Sequence, residues 1–255
     1  MDRNDFHRYF NSPGPVVLPV IHVLDTDRTI RNIETAMNAG AAGCFLINHD
    51  FGVDEFLPIV RDVRKQFPSL WLGLNFLAVT GRDAFPILGQ LQEEGCAINA
   101  YWADDARIDE RIDVQTEAKE IQRCREESGW SGLYFGGTAF KKQRPVAEAD
   151  LGTSAGIAMN WMDVVTTSGI ATGEEADDQK IITFRETIGN KPLALASGVT
   201  PRNAPRYADV DCFMVATGIS LPGNFHDLDA SLLATLMTET RRLGNERNTH
   251  GSTKG

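Results

Sequence analysis

A single (β/α)8 barrel, the TIM barrel, is the fold this sequence predicts, and three observations predict it. From Val16 onward short apolar runs alternate with longer amphipathic segments, and the alternation goes round eight times. Strands alternating with helices imply a parallel sheet, and eight such units imply closure. The chain has 255 residues, against roughly 250 for one barrel of this kind. Its last two apolar runs each end in a small-residue turn, Ser197-Gly198 and Thr217-Gly218, the place where such barrels often build a phosphate site. Either dipeptide alone reads equally well as an ordinary turn; the pair, at the ends of strands seven and eight, points to an anion.

The strand runs fall at residues 16–23, 43–47, 70–77, 96–101, 132–135, 162–166, 193–196 and 212–216. Between them, 29–38 puts Ile30, Ile33 and Met37 on one helical face, and 53–67 does the same with Phe56, Ile59, Val60, Val63 and Phe67. Segments 84–94, 110–127, 151–159, 177–188, 203–207 and 229–243 supply the other helices. Gly40, Gly95, Gly129 and Gly189 follow helical segments, as C-terminal caps should. Residues 1–244 are thus expected to form one barrel domain, with 1–15 an extension before the first strand. The tail 245–255 is polar with no apolar period, and no regular structure is expected there.

Lys and Arg number 25 against 35 Asp and Glu, a net charge of -10, which repels nucleic acid and anionic membrane at long range. A phosphorylated ligand must then be held locally, by backbone amides and one or two cations. Cys44, Cys96, Cys124 and Cys212 are widely separated, with neither a zinc spacing nor a disulfide framework. The polar N-terminus lacks the apolar core of a secretory signal, and no apolar run is long enough to span a bilayer. The expectation is a cytoplasmic protein; a homo-oligomer stays open.

In a barrel the chemistry sits on loops at the carboxyl ends of the strands, and here those positions are polar. They include His22 and Asp25; Asn48, His49 and Asp50; Asn75; Asn99, Trp102, Asp104 and Asp105; Thr138, Lys141 and Lys142; Thr167, Ser168 and Thr172. As general acid or base His22 leads, with Asp25 beside it, because a histidine needs only a small shift to work near neutral pH. Lys141 reads three ways: Schiff-base nucleophile, phosphate cation or solvated charge, and its neighbours Lys142 and Arg144 favour the last two. Asn48, Asn75, Asn99, Asp104, Thr167 and Ser168 are the candidate substrate contacts, and Ser197, Gly198, Thr217 and Gly218 the phosphate contacts. His22, Asp25, His49 and Asp50 could converge on a metal, but no ligand spacing such as H-x-x-H supports one, and a histidine bonded to a nearby aspartate is commoner. Neither a metal nor a cofactor is called for.

Residues 162–199, reading MDVVTTSGIATGEEADDQKIITFRETIGNKPLALASGV, with SGVTPRN at 197–203, INHDFGVDEF at 47–56, GLNFL at 73–77 and INAYWAD at 98–104, resemble the BtpA/SgcQ family of (β/α)8 proteins. The resemblance runs from about Val20 to Gly223 and is strongest in the last third. It implies similarity to ribulose-phosphate-binding barrels, and the family is named for a role in photosystem I accumulation. The chain departs from the family pattern after the first strand, where the loop is only HVLDTDR, and in the fifth, where GTAFKKQ puts Gly137 and Lys142 at the family's aspartate and histidine and keeps its lysine as Lys141. Two functions from different classes follow. One is an enzyme acting on a phosphorylated sugar or nucleotide-like molecule, by acid/base or glycosidic-bond chemistry, which the polar ring favours. The other is a non-catalytic assembly or regulatory factor retaining a ligand pocket, which the two fifth-strand departures favour.

Overall fold

The computed structural model describes residues 1–251. Eight parallel strands, β1 (Val16–Val23), β2 (Cys44–Asn48), β3 (Leu72–Asn75), β4 (Ala100–Ala103), β5 (Leu133–Gly137), β6 (Val164–Thr167), β7 (Leu193–Leu195) and β8 (Cys212–Val215), close into a barrel in sequence order. Closure comes from β8 pairing with β1, Cys212 opposite Val16. Neighbouring residues of a strand face opposite sides, so two apolar clusters form. Leu18, Phe45, Trp102, Phe135 and Met214 fill the barrel; Val17, Leu46, Tyr101, Val165 and Phe213 pack outward against the helices.

The helices outside the sheet are α2 (Thr26–Asn38), α3 (Val53–Gln66), α4 (Gly81–Glu93), α5 (Thr116–Ser128), α6 (Leu151–Ala158), α7 (Asp178–Ile188) and α8 (Ala230–Gly251), with a short 3-10 turn, Ala204–Tyr207, on the crossover from β7 to β8. None of the described helices is long and apolar enough to cross a membrane. All four cysteines are free thiols, and Cys44, Cys96 and Cys212 are buried.

The helix expected from residue 110 starts at Thr116, and four further features differ from the sequence expectation. The fourth strand starts at Ala100 rather than at residue 96, so Asn99 lies at its amino end. The last helix runs through Gly251, past Asn245, where the sequence suggested irregular chain; the rest of that tail lies outside the described residues. The N-terminal extension contains a helix, α1 (Arg3–Tyr9), whose Phe6 is fully buried in the inner cluster, its ring 4.9 Å from Phe10 and 6.4 Å from Phe135. Beside it the buried carboxylate of Asp211 accepts bonds from Arg3 Nε (2.8 Å), His7 Nε2 (2.9 Å) and Arg185 Nη1 (2.8 Å). Burial alone would raise its pKa, but the bond from His7 and the charges of Arg3 and Arg185 hold it down at about 2. Finally, a hairpin, β9 (Ser220–Leu221) and β10 (Asn224–Leu228), stands between β8 and α8. Its Pro222-Gly223 turn places glycine at φ 74°, the left-handed position a type II turn demands after proline. Asn32 of α2 fastens the hairpin twice, donating to the His226 carbonyl (2.7 Å) and accepting from the Leu228 N–H (2.9 Å).

Candidate functional site

The carboxyl ends of the strands surround a small, partly open cleft. Inward parity selects what reaches it. On β1 the inward series Val16, Leu18, Val20 continues to His22; on β2 Phe45 and Ile47 lead to His49; on β4 Ala100 and Trp102 lead to Asp104. Of the residues expected from sequence, His22, Asp104, Lys141, Ser197, Gly198, Thr217 and Gly218 line the cleft. Asn75 stands behind it, its Nδ2 donating to Asp104 Oδ1 at 3.1 Å.

The other five have structural duties. Asp25 is the exposed N-cap of α2, accepting from the Arg28 N–H. Asn48 and Thr167 fall on the outward parity: Asn48 bridges the Phe51 carbonyl and the Leu77 N–H, and Thr167 donates to the carbonyls of Thr138 and Ala139. Asn99, at the amino end of β4, accepts from Arg64 and the Leu72 N–H at the far end of the barrel. Ser168 is one step removed from the cleft, its Oγ accepting from the backbone N–H of Lys141 (2.8 Å).

Lys141 lines the cleft together with Asp104. Its Nζ donates to the Ala196 carbonyl at 3.2 Å and lies 5.7 Å from the Phe140 ring. The residues around it depart from ordinary backbone: Ala139 (φ 45°) and Lys142 (φ 65°) both sit in the left-handed region without being glycine. Strain of this kind costs on the order of 1 kcal/mol or more per residue and persists only where surrounding structure imposes it. Here the imposing contacts are Ser168, and Lys180 of α7, whose Nζ donates to the carbonyls of Ala139 and Ser168. Burial pushes Lys141 below the usual lysine value, against the pull of Asp104; burial likewise pushes Asp104 up, against Lys141 and the bond from Asn75. A base and an acid thus face one cleft with pKa values drawn toward each other.

His22 is different. Burial first, then the neighbouring His49 and His226 and the two lysines, push its pKa down to about 3. Its ring stands 5.0 Å from His49 and 4.9 Å from Phe225 of the hairpin, and its Nδ1 is enclosed without a partner. Near neutral pH it is a neutral imidazole, poorly matched to storing a proton. The described residues contain no group of three or more His, Cys, Asp or Glu side chains arranged to hold a metal. Trp102 Nε1 is a second buried polar atom without a partner, and a donor, on a residue that lines the cleft.

On the far side of the cleft Gly173, Ser197, Gly198, Thr217 and Gly218 form one wall. The N–H groups of Gly198, Thr217 and Gly218 meet no backbone acceptor among the described residues. The glycines themselves have a second cause: a Cβ at Gly198 would lie 2.1 Å from the Glu174 carbonyl oxygen, and one at Gly218 would lie 1.9 Å from that of Val199. Chain packing alone therefore demands glycine at both turns. Gly173, on the loop after β6, and the hairpin beyond β8 were not foreseen; the G-rich GIATG run and the Pro222-Gly223 pair were the available signals.

No family model and no curated protein matches the chain. Solved structures match it in fold. Phosphoribosyl anthranilate isomerase from Thermus Thermophilus is 13% identical, with 89% of this chain and 98% of that one covered, at a TM-score of 0.59. The tryptophan synthase alpha chain from Legionella pneumophila subsp. pneumophila is 14% identical over 96% of this chain and 98% of that one, TM-score 0.62. A structure described as "Native KDPGal structure" is 12% identical over 90% and 96%, TM-score 0.59. At such identities the likeness is one of fold, and it spans nearly the whole (β/α)8 barrel.

Proposed function

We propose that the chain binds a phosphorylated small molecule, a sugar phosphate or a nucleotide-like compound, in the cleft at the carboxyl end of the barrel and acts on it by proton transfer. The observation that carries this reading is the pairing, in one cleft, of Lys141 and Asp104 with the open turns Ser197-Gly198 and Thr217-Gly218. The turns hold the phosphate through backbone N–H groups, the arrangement that suits an anion where the chain as a whole is acidic. Asp104, steadied by Asn75, and Lys141 exchange the proton; neutral His22 and the Trp102 indole orient the remainder of the ligand through hydrogen bonds. The SGVTPRN turn and the retained Lys141 also support membership of the BtpA/SgcQ family, and phosphoribosyl anthranilate isomerase and tryptophan synthase alpha chain share the fold.

Thermal stabilisation by phosphorylated compounds, each set against its dephosphorylated counterpart, tests the reading. Stabilisation should need the phosphate and should be lost in Thr217→Asp, which places a carboxylate at the exposed Thr217 of the turn. Equal stabilisation of the parent and Thr217→Asp would put the phosphate elsewhere.

A further inference from the structure

The Lys141 amine has an unusual set of neighbours. Its hydrogen-bond partner is a carbonyl oxygen, not a carboxylate, and it makes no ion pair among the described residues. Ile47, Trp102, Phe140 and Met214 give its surroundings apolar walls. Lys142, next in sequence, repels a charge on it, and burial pushes its pKa below that of an ordinary lysine. Two backbone residues in the left-handed region, Ala139 and Lys142, flank it at a fixed geometry, locked by Lys180 and Ser168. A lysine whose task is only to attract phosphate needs none of this, because a solvated ammonium does it better; a neutral, positioned amine beside an acid is what a nucleophile needs.

We propose that Lys141 forms an imine with the ketone or aldehyde carbon of a phosphorylated carbonyl compound, with Asp104 moving the protons. This rests on the reading that the two turns hold the phosphate. The neutral amine attacks the carbonyl carbon, the C–N bond forms, and Asp104 transfers one amine proton to the oxygen, giving a carbinolamine. Asp104 then takes the second amine proton and delivers it to the departing hydroxyl. The C–O bond breaks, water leaves, and no group is oxidised or reduced. Once its nitrogen takes a proton back from solvent, the iminium is an electron sink for the bond next to the former carbonyl, so the substrate class is a phosphorylated ketone or aldehyde that loses a proton or a carbon fragment at that position.

Borohydride reduction of the full-length protein tests this, because it converts an imine irreversibly into a secondary amine that peptide mapping by mass spectrometry locates. The probes are dihydroxyacetone phosphate, dihydroxyacetone without the phosphate, and glycerol 3-phosphate without the carbonyl. Dihydroxyacetone phosphate should label Lys141 at least about tenfold more than the exposed Lys65 and Lys119, since a desolvated amine is the better nucleophile at neutral pH. Glycerol 3-phosphate should stabilise the protein and label nothing. Lys141→Arg should keep that stabilisation and lose the label; if it does not fold, the map of the parent protein decides alone. No excess label at Lys141 with either carbonyl probe overturns the imine. If glycerol 3-phosphate still stabilises the protein in that case, the phosphate reading survives; if it does not, both fall.

Discussion

At the scale of single residues, the same types that suggest function in the sequence divide by parity and by strand boundary. His22, Asp104 and Lys141 reach the cleft, whereas Asp25 caps a helix and Asn48, Asn99, Thr167 and Ser168 hold backbone. A strict count of inward positions separates Asn48 from His49 and Thr167 from Thr166. The same count turns Asn99 outward with Tyr101, and what misleads there is the boundary: the apolar run at 96–98 makes the fourth strand look as if it starts four residues early. The Ser197-Gly198 and Thr217-Gly218 turns mislead more subtly, since their glycines are required by Glu174 and Val199 whatever binds there. Gly198→Ala should therefore cost about 1 to 3 kcal/mol in urea unfolding even without ligand, from strain at φ 67° and the clash with Glu174. Thr217→Asp should stay within about 0.5 kcal/mol of the parent, as substitutions at exposed sites do.

His22 makes a pH prediction of definite sign. Its folded pKa, about 3, lies below the ordinary 6.5, so between those values the unfolded chain binds the proton and the folded one does not. Stability contributed by this group is complete above pH 6.5 and falls as the pH drops toward 3. His49, lowered in the same direction by burial, adds to the slope. Between pH 6.5 and 5, above the carboxylate range, the melting temperature should fall, and His22→Gln should flatten that fall. An unchanged slope in the variant would mean that His22 is protonated in the folded protein.

At the scale of elements, eight strands and their crossovers are legible because each must bury an apolar face, and burial leaves a period of two or of 3.6 in the sequence. The hairpin and α1 leave little trace. The hairpin is short, half-exposed and held by side-chain bonds from Asn32 rather than by an apolar repeat. The seven residues of α1 are polar on most sides, and their attachment depends on one buried ring, Phe6, and on Asp211, some two hundred residues away in the chain. Such contacts have no local signature. Phe6→Ala should lower stability by about 3 to 5 kcal/mol in denaturant unfolding, the usual cost of removing a fully buried ring. It should leave ligand binding intact, since α1 and the cleft lie at opposite ends of the barrel. A smaller loss, under about 1 kcal/mol, would mean that the buried Phe6 contributes little to holding α1 in place.

For the whole molecule, acidic charge and local phosphate binding are compatible only if the anion is screened by a small group of donors. On the proposed reading Lys142 and the open turn amides are that group, in one cleft of a protein with a net charge of -10. The proposed division of labour has a physical logic: backbone amides just past β7 and β8 would hold a fixed charge, leaving the lysine and the aspartate free to change protonation. The most direct measurement is a crystal structure of the protein grown with dihydroxyacetone phosphate. The account predicts the phosphate within hydrogen-bond distance of the N–H groups of Gly198, Thr217 and Gly218, with the carbon end directed at Lys141 and Asp104. A phosphate bound elsewhere, or carbon atoms turned out of the cleft with Lys141 still seated on the Ala196 carbonyl, would contradict it.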